Sequence, residues 1–138
     1  MIASGASPSR GVTVIIYDPQ SKRLLLLHRV LHWSGWEFVK GHVAANEAPA
    51  DAARRETAEE TGLTLTTLNI LPAPLTFRAA DGVRTYQSFL GTAEQGTVTV
   101  GPEHDGFRWV PLDEARTLLT PAHHIPLEAA RPIINQTS

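Results

Sequence analysis

The sequence predicts an α/β fold, a mixed sheet with helices on its faces, in a single domain spanning residues 1–138. Three observations carry this. Two strand-like segments near the N-terminus flank a turn, and an alanine-rich stretch further on stops at a glycine, as a helix does. Strand and helix signals then alternate without regular βαβ spacing, which argues against a doubly wound parallel sheet. A length of 138 residues fits one domain, and 42% apolar content suffices for one core.

Met1 to Arg10 is small and polar and reads as a flexible segment without the apolar core of a signal peptide. Gly11 to Tyr17, β-branched and apolar, reads as a buried strand. Asp18-Pro19-Gln20-Ser21 is a turn, and Arg23 to Arg29 is expected to return as the partner strand of a hairpin. Trp36 to Lys40 is a further short strand. Gly41 to Glu47 is a loop in which Asn46 can adopt a left-handed conformation or cap the next helix. Ala48 to Thr61 reads as that helix, with Pro49 tolerable in its first turn and Gly62 as its stop. Leu63 to Phe77 is extended in parts, and Asp81-Gly82 turns the chain into Val83 to Leu90. Phe107 to Val110 is a short strand. Leu112 to Leu119 and Pro126 to Gln136 are expected helices, the second interrupted by Pro132; His123-His124 before it reads as a surface turn.

Net charge is -2 and the isoelectric point near 6.3, which gives no electrostatic footprint for DNA and argues against RNA. With no cysteine there is no disulfide framework, thiol nucleophile or cysteine zinc site, and the composition suits a reducing, cytoplasmic setting. The longest aliphatic run, Leu24 to Leu27, is far too short to span a bilayer. The oligomeric state is left open.

The chemistry concentrates on one helix face. Glu56, Glu59 and Glu60 stand at i, i+3 and i+4, where like charges cost roughly 0.2–0.5 kcal/mol per pair. They also lie in the C-terminal half of the helix, where the macrodipole disfavours anions. Something positive should offset this: either Arg54 and Arg55 on a solvated acidic face, or a hard divalent cation. All-oxygen ligands select magnesium or manganese over zinc.

The context favours the cation. Residues 41 to 63 read GHVAANEAPADAARRETAEETGL, which resembles the Nudix box, G-x5-E-x7-R-E-U-x-E-E-x-G-U, where U is a bulky apolar residue. Gly41, Glu47, Arg55, Glu56, Glu59, Glu60, Gly62 and Leu63 match in register, and chance alone would give the seven fixed identities about once in 10⁹ starting positions. Thr57 departs, standing where a larger apolar residue is usual. The resemblance implies an α/β/α sandwich and a pyrophosphohydrolase acting on a nucleoside diphosphate linked to another group. It implies that Glu56, Glu59 and Glu60 are metal ligands for Mg2+ or Mn2+ and that one glutamate, inside the box or outside it, helps deprotonate the attacking water. Glu47 and Arg55 would pair to hold the loop on the helix, and Gly41 would allow a sharp exit from the strand.

Two flanking segments resemble the Nudix enzymes that hydrolyse diadenosine polyphosphates. Trp36 to Val43 is similar to their W-x-F-P-K-G-H-V run, with Val39 in place of proline, and Ala44-Ala45-Asn46 replaces a common Glu-Pro-Gly. Glu103 to Trp109 is similar to their E-H-x-x-[FY]-x-W segment. Lys40 would then reach a substrate phosphate, and Glu103 would be a further ligand or the base. Trp33, Trp36, Phe77, Tyr86 and Phe107 are possible purine-stacking residues, with Trp33 and Tyr86 preferred; Trp109 reads as core. The expected function is metal-dependent hydrolysis of diadenosine polyphosphates with asymmetric cleavage giving ATP. A pyrophosphatase that sanitises damaged nucleoside triphosphates, and a nucleotide-sensing regulator of the same fold that cuts nothing, are the alternatives.

Overall fold

The computed structural model describes residues 10–136, so the expected flexible segment lies, apart from Arg10, outside the described residues. Eight strands form one sheet: β1 (Gly11–Asp18), β2 (Arg23–Arg29), β3 (Gly35–Glu37), β4 (Val39–His42), β5 (Thr67–Ile70), β6 (Leu75–Ala79), β7 (Gly82–Thr92) and β8 (His104–Val110). Among the described residues three helices complete it: α1 (Pro49–Thr61), α2 (Leu112–Leu118) and α3 (Pro121–Gln136). The path β3-β2-β1-β7-β5 is mixed, because β1 runs parallel to β7 while the other pairings are antiparallel.

Every residue of β1 is buried, and alternation along it divides the interior in two. Val12, Val14 and Ile16 face one cluster with Leu25, Leu27, Phe89 and the α1 residues Ala52 and Ala53. Ile15 and Tyr17 face the other, with Leu24, Leu26, Phe38 and the α2 and α3 residues Ala115, Leu127, Ala130 and Ile134. Helices therefore cover both faces of the sheet, the α/β/α sandwich that the resemblance implies.

The N-terminal hairpin is shorter than the sequence suggests. β1 and β2 pair only at Tyr17↔Leu24 and Asp18↔Arg23. Beyond that point β4 takes the edge of β1 from Gly11 to Val14, while β2 pairs with β3 and β8. The expected strand from Trp36 to Lys40 divides at Phe38 into β3 and β4. Phe38 and Val39 then point into opposite clusters.

α1 begins as expected, with Pro49 in its first turn, and ends at Gly62 with φ 77°. Asn46 is left-handed (φ 65°) and does not cap the helix; the N-cap is Ala48, without a side-chain bond. Thr57 is fully buried, and its hydroxyl donates to the Ala53 carbonyl at 2.7 Å, so a polar atom is carried into the helix–sheet contact without loss. At the C-terminal end, His123 and His124 lie inside α3, which starts five residues earlier than expected; the surface-turn reading is corrected, and His123 is buried. Both Pro126 and Pro132 are accommodated within that helix.

Candidate active site

The C-terminal half of α1 lies along β4, and this brings the box together. Arg55 is its hub. Its Nε donates to Glu47 Oε2 (2.8 Å) and its NH2 to Glu47 Oε1 (2.9 Å) and the His42 carbonyl (2.8 Å). Its NH1 reaches Glu56 Oε2 (3.0 Å) and Glu59 Oε1 (3.2 Å). One guanidinium thus ties three carboxylates and offsets part of their charge. Arg54 takes no part; it donates to the Leu65 carbonyl at 3.1 Å. Glu47 also accepts the Ala44 N–H (2.9 Å), and the Arg55 and Ala44 donors hold its carboxyl down at about 2.

Gly41 does not turn the chain out of a strand. It sits within β4, opposite Val12, and is not among the residues of positive φ. Its missing side chain matters because a Cβ there would overlap Cγ, Cδ and Oε2 of Glu56. Glycine makes room for the Glu56 side chain over β4.

Glu56, Glu59, Glu60 and Glu103 line a recess of about 160 Å³ together with Gly101, Pro102 and His104. Glu60 is buried, and its Oε1 accepts the Lys40 N–H at 3.4 Å. Burial, with Glu56, Glu37 and Glu103 nearby, pushes its carboxyl up to about 9; burial likewise raises Glu56. Among the described residues, no three such groups converge within coordination reach in this arrangement, and Arg55 holds Glu56 and Glu59 through NH1. The donor set nonetheless fits a hard divalent cation. It is all oxygen, and its mutual repulsion is what such an ion relieves.

Three of those glutamates, Glu56, Glu60 and Glu103, also line a cavity of about 840 Å³. Lys40 lies in its wall, its ammonium 4.2 Å from the Phe77 ring centroid and 3.5 Å from Glu37 Oε1. Burial lowers the Lys40 pKa and the Glu37 charge opposes that. Trp33, Phe77 and Tyr86 line the cavity as well. Tyr86, however, is 5% exposed and packs edge-on against Phe77 and His42, so it backs the wall more than it offers a face. Trp33 is only half-buried. Trp36 packs against His28 and Arg108 and does not line the cavity, nor does the exposed Phe107. Trp109 is core.

Sequence reasoning missed Arg29, Glu37, His104 and His123. Arg29 and His123 line the cavity. Arg29 donates from Nε to Glu37 Oε2 (2.7 Å), and His104 Nε2 lies 2.8 Å from the same oxygen. His123 is held neutral by burial, its pKa lowered to about 4, with Nδ1 2.9 Å from the Thr120 hydroxyl. For His104 a signal existed, since it falls inside the E-H-x-x-F-x-W segment. For the other three nothing in local spacing marks them.

Comparison with known proteins agrees with this fold. The NUDIX domain family model matches residues 7–130. A Streptomyces rubellomurinus CMP-5'-(N-acetyl-N-hydroxy-3-aminopropyl)phosphonate hydrolase is 33% identical over 116 residues, 79% of this chain and 55% of that protein. The asymmetrical bis(5'-nucleosyl)-tetraphosphatase of Mus musculus is 33% identical over 85 residues, 58% of each chain. This chain therefore spans a little over half the length of these curated relatives. In three dimensions it resembles a C. elegans Ap4A hydrolase, with a TM-score of 0.81, 24% identity, and coverage of 94% of this chain and 99% of that one.

Proposed function

The chain belongs to the NUDIX family, and from that premise we propose that it is a divalent-cation-dependent pyrophosphohydrolase of nucleoside diphosphate-linked compounds. Diadenosine polyphosphates are its preferred substrates, cut asymmetrically, with ATP among the products of the tetraphosphate. The observation that carries this is the shared wall: Glu56, Glu60 and Glu103 line both the small carboxylate recess and the large cavity. A phosphate chain lying in the cavity would have its reacting bond beside the carboxylates.

Glu56, Glu59, Glu60 and Glu103 would hold Mg2+ or Mn2+, which supplies charge neutralisation and an acidified water. The remaining tasks fall to other residues. Arg55 holds Glu56 and Glu59, together with Glu47. Lys40 and Arg29 face the substrate's phosphates with positive charge. Trp33, on the cavity wall, offers a flat face to a purine, a contact of roughly 1–3 kcal/mol. The likeness to two Ap4A-type enzymes supports the dinucleotide reading. A cytoplasmic setting is part of it.

The test is a substrate panel under one magnesium condition: diadenosine tetraphosphate and hexaphosphate, dATP, dGTP, 8-oxo-dGTP and ADP-ribose, with products resolved by ion exchange. The dinucleotides should show the highest kcat/KM, and excess chelator should abolish turnover. A preference of about tenfold or more for a single nucleotide, roughly 1.4 kcal/mol in the transition state, overturns the substrate assignment. Full turnover in chelator overturns the cation requirement.

A further inference from the structure

Among the described residues, Glu37 is the only acidic side chain with no exposed surface. A carboxylate so enclosed is strongly unfavourable unless it is paired and hydrogen-bonded. Its partners come from three other strands. Arg29 of β2 donates to Oε2 at 2.7 Å, and His104 of β8 lies 2.8 Å from the same atom. Lys40 of β4 stands 3.5 Å from Oε1, which makes no closer hydrogen bond. Glu37 contacts both cations, Glu103 adds a longer ion pair to Arg29 at 3.8 Å, and both cations line the large cavity.

The contacts also restrict how the two cations can move. Arg29 spends Nε on Glu37, while NH1 reaches the Leu31 carbonyl (3.3 Å) and, more distantly, Glu103 (3.8 Å). Lys40 is fixed between Glu37 and the Phe77 ring. A lysine ordinarily loses much rotamer freedom on binding an anion, and a stem already held loses less.

We propose that Glu37 is a positioning residue: a buried anion, completed by His104, that fixes Arg29 and Lys40 as a paired cationic subsite for the substrate's polyphosphate chain. The identity of the substrate rests on the hydrolase reading above. The existence of the subsite does not, and the experiment separates the two.

Two probes are applied to the full chain. Inorganic tripolyphosphate, titrated calorimetrically with magnesium present, reports the subsite without turnover. Hydrolysis of diadenosine tetraphosphate reports catalysis. Glu37→Gln keeps the size and one acceptor oxygen and removes the charge. The tripolyphosphate Kd should rise about tenfold, and KM with it, while kcat falls by less than KM rises. In a Lys40→Met background the same change should add less than about threefold, because a residue it positions is already gone. A folded Glu37→Gln protein with Kd and KM within about twofold of the parent overturns the proposal, as does full additivity with Lys40→Met; a merely structural residue would lower Tm and leave Kd alone. Should Glu37→Gln fail to fold, Glu37→Asp keeps the charge but withdraws it by one methylene. A rise in Kd of about threefold is then expected, and an unchanged Kd overturns the proposal. Charge-dependent tripolyphosphate binding in a protein that cuts no dinucleotide would sink the diadenosine polyphosphate assignment and support the subsite.

Discussion

Gly41→Ala tests whether the room that the glycine leaves for the Glu56 side chain sets the geometry of the proposed site. The glycine lies at an ordinary strand position, so alanine brings no backbone strain. The added Cβ would overlap the Glu56 side chain from Cγ to Oε2. The obstruction is the end of a flexible side chain, so Glu56 must move and the backbone need not. Leaving its rotamer costs about 0.5–1.5 kcal/mol, and the 3.0 Å bond to Arg55 is lost with it. That corresponds to a fall in Tm of only a few degrees, about 2–6 °C for a chain of this size. The effect on rate should be larger, since displacing a catalytic group by about 1 Å can cost 10²-fold. The assay is kcat and Tm for Gly41→Ala beside Gly106→Ala, where a Cβ meets nothing within 4 Å. Gly106→Ala should behave as the parent. In a Glu56→Ala background all three obstructing atoms are gone, and Gly41→Ala should change the remaining activity by less than about threefold. A Gly41→Ala enzyme within about threefold of parental kcat, or a loss no larger than its unfolded fraction explains, would refute the reasoning.

Two further expectations concern pH. The Glu47 carboxyl is held at about 2 against an ordinary 4.5, so its contribution to stability is present above 4.5 and is lost as pH falls towards 2. Glu47→Gln should remove that segment of the Tm–pH curve, and an unaltered curve between pH 5 and 2 would contradict the pairing role. His123 is the mirror case, a base kept neutral by burial: its folded value of about 4 against 6.5 makes stability full above 6.5 and draining away as pH falls to 4. The shift corresponds to roughly 3 kcal/mol; an NMR titration of its imidazole should show a midpoint near 4, and one above 6 would refute the buried-neutral description.

What the sequence made legible is what physical chemistry keeps local. The helix from Pro49 to Thr61 declares itself by alanine content, a proline at its start and a glycine at its end, all within one short stretch. The carboxylate face is local for the same reason: i, i+3 and i+4 share a face wherever the helix docks. The hairpin from β1 to β2 was misjudged because two adjacent apolar strands say nothing of a third that inserts between them, and β4 does so after two residue pairs. Helix α3 was read short because prolines ordinarily end helices. Packing of His123, Pro126 and Leu127 against the sheet outweighs that tendency here. Val39, where proline is usual, becomes intelligible in three dimensions: it fills the core on the α1 side, pairs with Val14, and its carbonyl accepts the Thr13 hydroxyl at 2.8 Å.

The groups that stayed hidden are those whose partners are distant in sequence. Glu37 lies 8 residues from Arg29 and 67 from His104, separations that carry no periodic signal. Yet the two halves of the site follow one electrostatic rule with opposite sign. On the acidic side a single cation, Arg55, ties Glu47, Glu56 and Glu59. On the basic side a single anion, Glu37, ties Arg29, Lys40 and His104. Each hub is outnumbered by the charges or donors it gathers, so each side keeps unspent capacity towards the cavity, negative where a cation would sit and positive where phosphates would lie. The acidic hub was legible because its ligands cluster in one motif. The basic hub is assembled by four strands and becomes visible only once the sheet brings them together.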